Sequence, residues 1–553
     1  MVTANKLAGR PRTAISYSEG IWLLVTSTLV MALTTVPYWV GYSQQDSTRI
    51  FGGAILDRPD YNVYVAGIQA GLHGISYYPM LHSPEQAAPV YLRLFYVWVG
   101  LLGRGGTLSA QTLYEIARWS CGLLALLVMY LFAAYLFRPV ILRRFTWILF
   151  VFGSGVGWLM VLGNWFPHPG IAPADFSQLD LIGFLTLLLT PHFALTEALQ
   201  WAMALAFLNG WGNSKRWLWW VGLGVVFSVM TQTIQVYAPL TLDIALGLYA
   251  LLHWIAQRRI IWRELGSLLG LALAQLPWTL YSFWVFQNDP TWHSYYLQNV
   301  LLSPPALDYA LALGAVGLLA VIGLKFVLAK RPLGAWHLIG LWVVVVVAAV
   351  YWPSQLQRRF VVGGFGPLAI LATIGMVKGV WPLARRSLRT WRPNLHRVRG
   401  LLFGLTLLFV AQSNVWLLLG ITVSIENHLP IYFDSADEWD AMRWLGAHTN
   451  WQDPVFADLS IGNTIPAAIG HRVYVGHWAE SVDYTSRLSA LEAFYRRETS
   501  DPERYAILRD GQSRYLFYGP RERELGPFQP DQAAYLRQVY RNSTVTIYEI
   551  IAF

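Results

Sequence analysis

The sequence predicts an α-helical polytopic membrane protein of 11–13 spans that ends in a small soluble α/β domain. Three observations predict it. Of 553 residues, 55% are hydrophobic and only 13% charged, with a mean hydropathy of +0.40. A water-facing globule usually carries about a quarter charged residues. The apolar residues are gathered in runs close to the ~20 needed to cross a bilayer as helix. From about Pro430 the composition turns polar and strand-like segments begin to alternate with helical ones.

The elements follow in order. A basic stretch, Met1 to Arg12, precedes an apolar run from Ile21 to Val40. The run has the length of a span and no small-x-small cleavage site, which predicts a retained signal-anchor with a cytoplasmic N-terminus. The polar segment Gly41–Pro89 is too long for a simple connector and reads as a first outer loop. Basic clusters fall at Lys215-Arg216, Arg258-Arg259 with Arg263, Lys330-Arg331, and Arg385 to Arg399. Placing these inside puts Thr231–Tyr237, Gln287–Pro305 and Tyr351–Phe360 outside. The runs near 90–103 and 179–190 are short for a crossing of ~30 Å. With both counted there are 13 spans and Arg143-Arg144 lies outside. With neither there are 11 and those arginines lie inside, as the charge rule alone favours, whereas the resemblance given below favours 13. Both counts are odd, so the tail is extracytoplasmic. The predicted division is a membrane domain, 1–430, with its long first loop at 41–89, and an outer α/β domain, 431–553.

In the tail, Ser435-Ala-Asp-Glu438 is a capping box opening a helix to His448. Strands are expected at Val455–Ala457, Arg472–Val475, Tyr515–Tyr518 and Val545–Ile550, and helices at Tyr484–Arg497 and Glu503–Asp510. No glycine-rich nucleotide motif occurs there. The net charge of +9 is spread through loops between apolar runs, a pattern of membrane topology and not of nucleic-acid binding. Cys121 is the only cysteine, which rules out an intrachain disulfide and a cysteine-based metal site. The 27 Trp and 29 Tyr suit membrane–water interfaces and contact with membrane lipids.

Candidate chemistry lies at the outer boundary. In Asp57-Arg-Pro59-Asp60, proline suits a first helical turn, and either acid would sit at its positive end. Tyr64, Gly67 and Gly71 continue at helical spacing. A carboxylate there could accept a proton from a hydroxyl or hold a divalent cation. The alternative is that Asp57 caps the helix and Asp60 pairs with Arg58 or solvent. Arg358-Arg359, on the side where positive charge is disfavoured, suits a phosphate group, a lipid headgroup or an ion pair. His192 and Glu197, with Asp175 and Asp180 upstream, form a third group, open to substrate, metal or purely structural roles. Gly476-His477-Trp478-Ala-Glu480 and Gly519–Arg523 follow strands, where ligand groups collect in α/β folds; they could face the membrane site but read most simply as polar turns.

This arrangement resembles the GT-C superfamily of membrane glycosyltransferases, in the branch of bacterial protein mannosyltransferases and aminoarabinose transferases. The resemblance rests on the order of features and on Asp60-x-x-x-Tyr64, Pro191-His192-Phe193, Gln357-Arg358-Arg359-Phe360 and Tyr518-Gly-Pro-Arg-Glu-Arg523. It implies transfer of a sugar from a polyprenyl-phosphate-linked donor to a lipid, glycan or protein hydroxyl at the outer face of the plasma membrane. Asp60 would be the base, Asp57 its helper, and Arg358 and Arg359 the phosphate clamp, with a divalent cation (Mg or Mn) as possible cofactor. Two departures stand out. The two acids are three residues apart where many members have an adjacent pair, and Gln235-Val236-Tyr237 lacks a histidine found in some relatives. A flippase for lipid-linked precursors and a catalytically inactive scaffold are the alternative classes.

Overall fold

A computed structural model describes residues 15–168, 170–212, 215–387 and 394–551. The basic stretch Met1 to Arg12 and part of the Arg385–Arg399 run lie outside the described residues. The chain divides into two compact units. The first takes in the residues up to Thr35, then 118–280 and 301–420; the second takes in 36–117, 281–300 and 421–553.

Among the described residues, eight helices are long and apolar enough to cross a membrane, and a ninth results if Leu395–Val410 and Gln412–Glu426, bent by 41°, form one span. Their burial pattern is that of a membrane protein. On Trp262–Asn288, Leu269, Leu273, Leu276, Leu280 and Phe283 recur at helical spacing and are all exposed. Polar groups turn inward instead: Arg118 is buried and donates to Thr34 and Thr35 at 2.8 Å each, and the Thr146 and Thr373 hydroxyls meet at 2.8 Å. Such a stripe is stable facing hydrocarbon, where water would penalise it.

The count of 13 is corrected. The short runs form Phe95–Gly103, nine residues, and Gly183–Leu189, seven. At 1.5 Å per residue these reach only about 14 and 11 Å, well short of the hydrocarbon core. Pro191–Trp211, of 21 residues, and Ala335–Ala349, of 15, are further helices in the first unit that fall outside those nine. The arginines agree. Arg143 is buried and donates to Glu19 at 2.9 Å, Tyr130 donates to the same oxygen at 2.5 Å, and Arg144 lies over the Trp22 ring at 4.4 Å. These contacts join the start of helix Tyr17–Ser43 to the start of helix Val140–Phe152, so both begin at one membrane edge.

The second unit is α/β. Strands β1 (Arg49–Phe51) and β2 (Phe433–Ser435) pair antiparallel, with Ile50 opposite Asp434. Four further strands are β3 (Val455–Phe456), β4 (Tyr515–Tyr518), β5 (Leu536–Arg541) and β6 (Thr546–Ile550). They form a sheet in the order β3-β4-β6-β5, in which only β3 and β4 run parallel. Strand alternation divides the core between its two faces. Phe456, Leu516 and Tyr548 pack with Phe494, Tyr495 and Leu508, while Val455, Phe517 and Ile547 pack with Met442, Leu445, Ile461 and Ile465. The expected strand Arg472–Val475 contributes only a parallel bridge from Val473 to Val455. The capping box forms as expected on helix Ala436–His448, and helices Tyr484–Tyr495 and Asp501–Asp510 stand where predicted. Strand β5 and helix Leu459–Ile469 are additions to the predicted set.

Candidate active site

The first loop forms helix Arg58–Leu72, which begins where its proline predicts. Asp57 occupies the N-cap position in a left-handed conformation (φ 49°, ψ 55°), and its side chain makes no capping hydrogen bond. It is exposed. A non-glycine residue held in that region costs of order 1 kcal/mol and such strain gathers at functional sites, although aspartate tolerates it better than most. Arg58 turns to Asp434 and to Thr464 Oγ1 (3.1 Å). Asp434 is also reached by Arg521 at 3.4 Å and by the Trp439 indole at 3.3 Å.

Asp60 is thereby left to a different partner. His477 Nε2 donates to its Oδ1 at 3.0 Å, and the Tyr64 hydroxyl stands 3.5 Å from Oδ2. The Asp60 side chain is 22% exposed and that of His477 only 4%. The helix carrying Asp60 is fixed against Leu459–Ile469. Asn62 donates to Asn463 at 2.7 Å, Asn463 donates to the Pro59 carbonyl at 3.3 Å, and Gln69 reaches the Ala468 carbonyl at 3.0 Å. On its other flank Gly71 lies so close to Gly100 that a Cβ on either would run into backbone of the opposing helix, Phe95–Gly103. The small-residue spacing read from the sequence is therefore a helix-packing device.

Behind His477 lies a buried charge cluster. Glu480 accepts from Tyr78 at 2.7 Å, forms an ion pair with Arg93, and stands 3.6 Å from His82. Arg93 is held over the rings of Tyr78 and Tyr295, at 5.0 and 5.2 Å. Burial would raise Glu480, but the Arg93 charge and His82 overcome it and hold the carboxyl at about 2. Burial, in turn, keeps His82 below its ordinary value. His82 Nε2 donates to the Asn463 carbonyl at 3.2 Å, which links this cluster to the helix that positions Asn62.

Sequence reasoning passed over Tyr78, His82 and Arg93, and singled out His477 and Glu480 without assigning them a role. For His477 and Glu480 a signal existed, since they follow a strand-like run, where ligand groups collect in α/β folds. They lie at a turn, with both side chains buried and hydrogen-bonded. Gly519–Arg523 is a tie within the fold: buried Glu522 accepts from the backbone N–H groups of Asp458 and Gly519, both at 2.8 Å, and Arg521 binds Glu438 at 3.2 Å.

The remaining candidates belong to the first unit. Arg359 contacts Asp180 at 3.3 Å and lies over the Phe193 ring at 5.1 Å. Arg358 follows Gln355, whose carbonyl accepts the Leu301 N–H; the Arg358 backbone N–H in turn donates to Leu301. Its Nε is buried and has no hydrogen-bond partner among the described residues. His192 is buried against Phe193, with ring centroids 4.2 Å apart, and Glu197 is buried on the same helix. Asp175 is drawn into a separate network, accepting from Ser413 at 2.7 Å and from the Gly155 and Gly157 N–H groups at 3.2 and 3.1 Å. This makes it a structural tie between segments 155–157 and 413.

Among the described residues no three His, Cys, Asp or Glu side chains gather as a metal site. No step below runs through a metal.

No protein-family model and no curated protein matches the sequence. Among solved structures, the oligosaccharyltransferase of Archaeoglobus fulgidus tethered to an acceptor peptide is similar over 92% of this chain and 70% of that chain, with TM-score 0.54 and 12% identity. The same archaeal enzyme, AglB, in complex with an inhibitory peptide and a dolichol-phosphate gives 91%, 70%, 0.52 and 11%. Its complex with Zn and sulfate gives 90%, 68%, 0.51 and 12%. At these identities the likeness establishes the fold alone: the chain has a fold similar to that of the archaeal oligosaccharyltransferase.

Proposed function

We propose that the protein is a membrane glycosyltransferase that moves a sugar from a polyprenyl-phosphate-linked donor to a hydroxyl of a lipid, glycan or protein at the outer membrane face. The observation that carries this reading is the Asp60 carboxylate: partly exposed, placed at the start of a rigidly packed helix, and oriented by His477 on a chain with the GT-C fold. The dolichol-phosphate and acceptor peptide in complexes of the similar archaeal enzyme support a lipid-linked donor and a hydroxyl- or amide-bearing acceptor class. Asp60 acts as general base and Asp57 as the second acid near the acceptor. The N-terminus is cytoplasmic and residues 431–553 are extracytoplasmic. In the first unit, Arg358 is better suited than Arg359 to a donor phosphate. Its Nε has no hydrogen-bond partner among the described residues, whereas Arg359 is engaged by Asp180.

The test is incubation of purified protein with radiolabelled polyprenyl-phosphate sugars. Release of polyprenyl phosphate with sugar on an acceptor is expected. Asp60→Asn is expected to lower that rate by about 100- to 10,000-fold, the usual contribution of a general base, without loss of membrane insertion. A fully active Asp60→Asn protein overturns the assignment. Movement of the lipid between leaflets without sugar release would instead make the chain a flippase, and neither outcome would leave a scaffold. Arg358→Ala is expected to raise KM for the donor more than it lowers kcat.

A further inference from the structure

We propose that Trp478 is the stacking platform of the Asp60 site, and that its indole face receives the apolar face of a substrate sugar ring. The proposal names the substrate chemistry of that site and so rests on the transfer reading above.

Trp478 stands alone in its surroundings. From His471 to Ser481 every residue is buried except Trp478, which is 36% exposed. The residues beside it turn inward: His477 to Asp60 at 3.0 Å, and Glu480 to Tyr78 and Arg93. The turn is also fixed. The N–H groups of Gly476 and His477 donate to Ser481 Oγ at 3.0 and 3.1 Å, and that hydroxyl donates to the His82 carbonyl at 2.7 Å. Gln298 Nε2 donates to the Ser481 carbonyl at 2.8 Å. At Gly476 a Cβ would stand 2.4 Å from the Gly462 carbonyl oxygen, so the entry to the turn is packed backbone against backbone. Breaking these buried hydrogen bonds to swing the indole inward is costly, so the ring is held out where a ligand can cover it.

The surroundings decide what covers it. From Tyr432 to Ile551, Trp478 and Leu525 are the only exposed large apolar side chains among the described residues. One ring falls far short of the contiguous apolar area that a protein partner or a lipid surface requires. Its neighbours are polar. The His477 ring lies 5.6 Å away, centroid to centroid, and that ring's hydrogen bond ends on Asp60, which is 22% exposed. The fitting ligand therefore has a flat apolar face for the indole and hydroxyls at its rim for the carboxylate. A sugar ring has both: its C–H groups gather on one face, drawn to the negative face of the indole, and its hydroxyls project from the edge.

Two readouts test this on the purified full chain. The first is hydroxyl-radical footprinting read by peptide mass spectrometry. Oxidation of Trp478 is expected to fall when polyprenyl-phosphate sugar or a methyl glycoside is added, and to stay unchanged with sugar-free polyprenyl phosphate. The second is the radiolabelled-donor assay, in which Trp478→Ala is expected to raise KM about 3- to 10-fold with kcat changed less than about two-fold. Trp478→Phe keeps a flat face and should regain most of the affinity, whereas Trp478→Leu, apolar but not flat, should behave like Ala. A raised KM for the donor assigns the ring to the donor sugar, a raised KM for a glycan acceptor assigns it to the acceptor, and either upholds the platform. An unchanged KM in Trp478→Ala, a Leu variant as good as Phe, or equal protection by sugar-free polyprenyl phosphate would overturn it. If Trp478→Ala does not fold, the footprint of the parent and the Phe and Leu pair decide. Footprinting needs no turnover, so the two readings fail separately. A fully active Asp60→Asn overturns the transfer reading, whereas an inactive Asp60→Asn beside an unprotected Trp478 overturns only the platform.

Discussion

At the residue scale, the Arg93–Glu480 pair shows what a buried charge demands of its surroundings. Both groups are enclosed by Tyr78, Tyr295 and His82, and removing one leaves the other without compensation. Glu480→Gln is expected to cost about 3 kcal/mol, at the lower end for a broken buried pair because Arg93 keeps 28% exposure; the measurement is a lowered Tm in detergent. The pH dependence has a definite sign. Glu480 is held at about 2 against an ordinary 4.5, so its contribution is complete above 4.5 and is lost as pH falls from there toward 2. His82 acts in the same sense higher up, since burial keeps it neutral in the fold while the unfolded chain takes up a proton below 6.5. Tm should therefore fall on acidification in two stages, and Glu480→Gln should lack the lower one. An unchanged acid profile in that variant would count against the assignment. Asp60 was legible in the sequence because local rules place it: a proline, a helix start and a stripe of small residues. Its partner was not legible. Nothing in the spacing around His477 points to a group 417 positions away.

At the element scale, the helix bearing Asp60 can be displaced without touching any charge. Gly71 and Gly100 let the helices Arg58–Leu72 and Phe95–Gly103 approach until backbone meets backbone. Gly71→Val is expected to destabilise by about 1–3 kcal/mol through overpacking and to lower sugar transfer together with Tm. Gly247→Ala, where nothing lies within 4 Å, is the control and should stay within about 0.5 kcal/mol. Transfer unaffected by Gly71→Val would show that the position of this helix does not matter. Elements with a strong period were readable in advance, as Ser435–Glu438 and the helix it caps illustrate. Strand β5 was not, because it lies at the sheet edge with Arg537 and Gln538 exposed and lacks the inside–outside alternation that marks a strand. Strands β1 and β2, at three residues each, are too short to leave any periodic trace.

At the scale of the whole molecule, hydrophobicity made the membrane class evident, but length decided the number of crossings. Arg143 against Glu19 makes a testable statement about topology. With buried Cys121 replaced by alanine, single cysteines at Ser16 and Pro139 should be labelled from the same side of the membrane. Labelling from opposite sides would require a further crossing between them. The sequence distance between Asp60 and His477 also sets a schedule. At about 5–20 residues per second, a ribosome needs roughly 20–80 s to make the 417 residues that separate them. Throughout that interval the nascent first loop has neither β2 to pair with β1 nor a ring to hold its carboxylate. A copy terminated before residue 433 would carry its first loop without either the pairing strand or the ring.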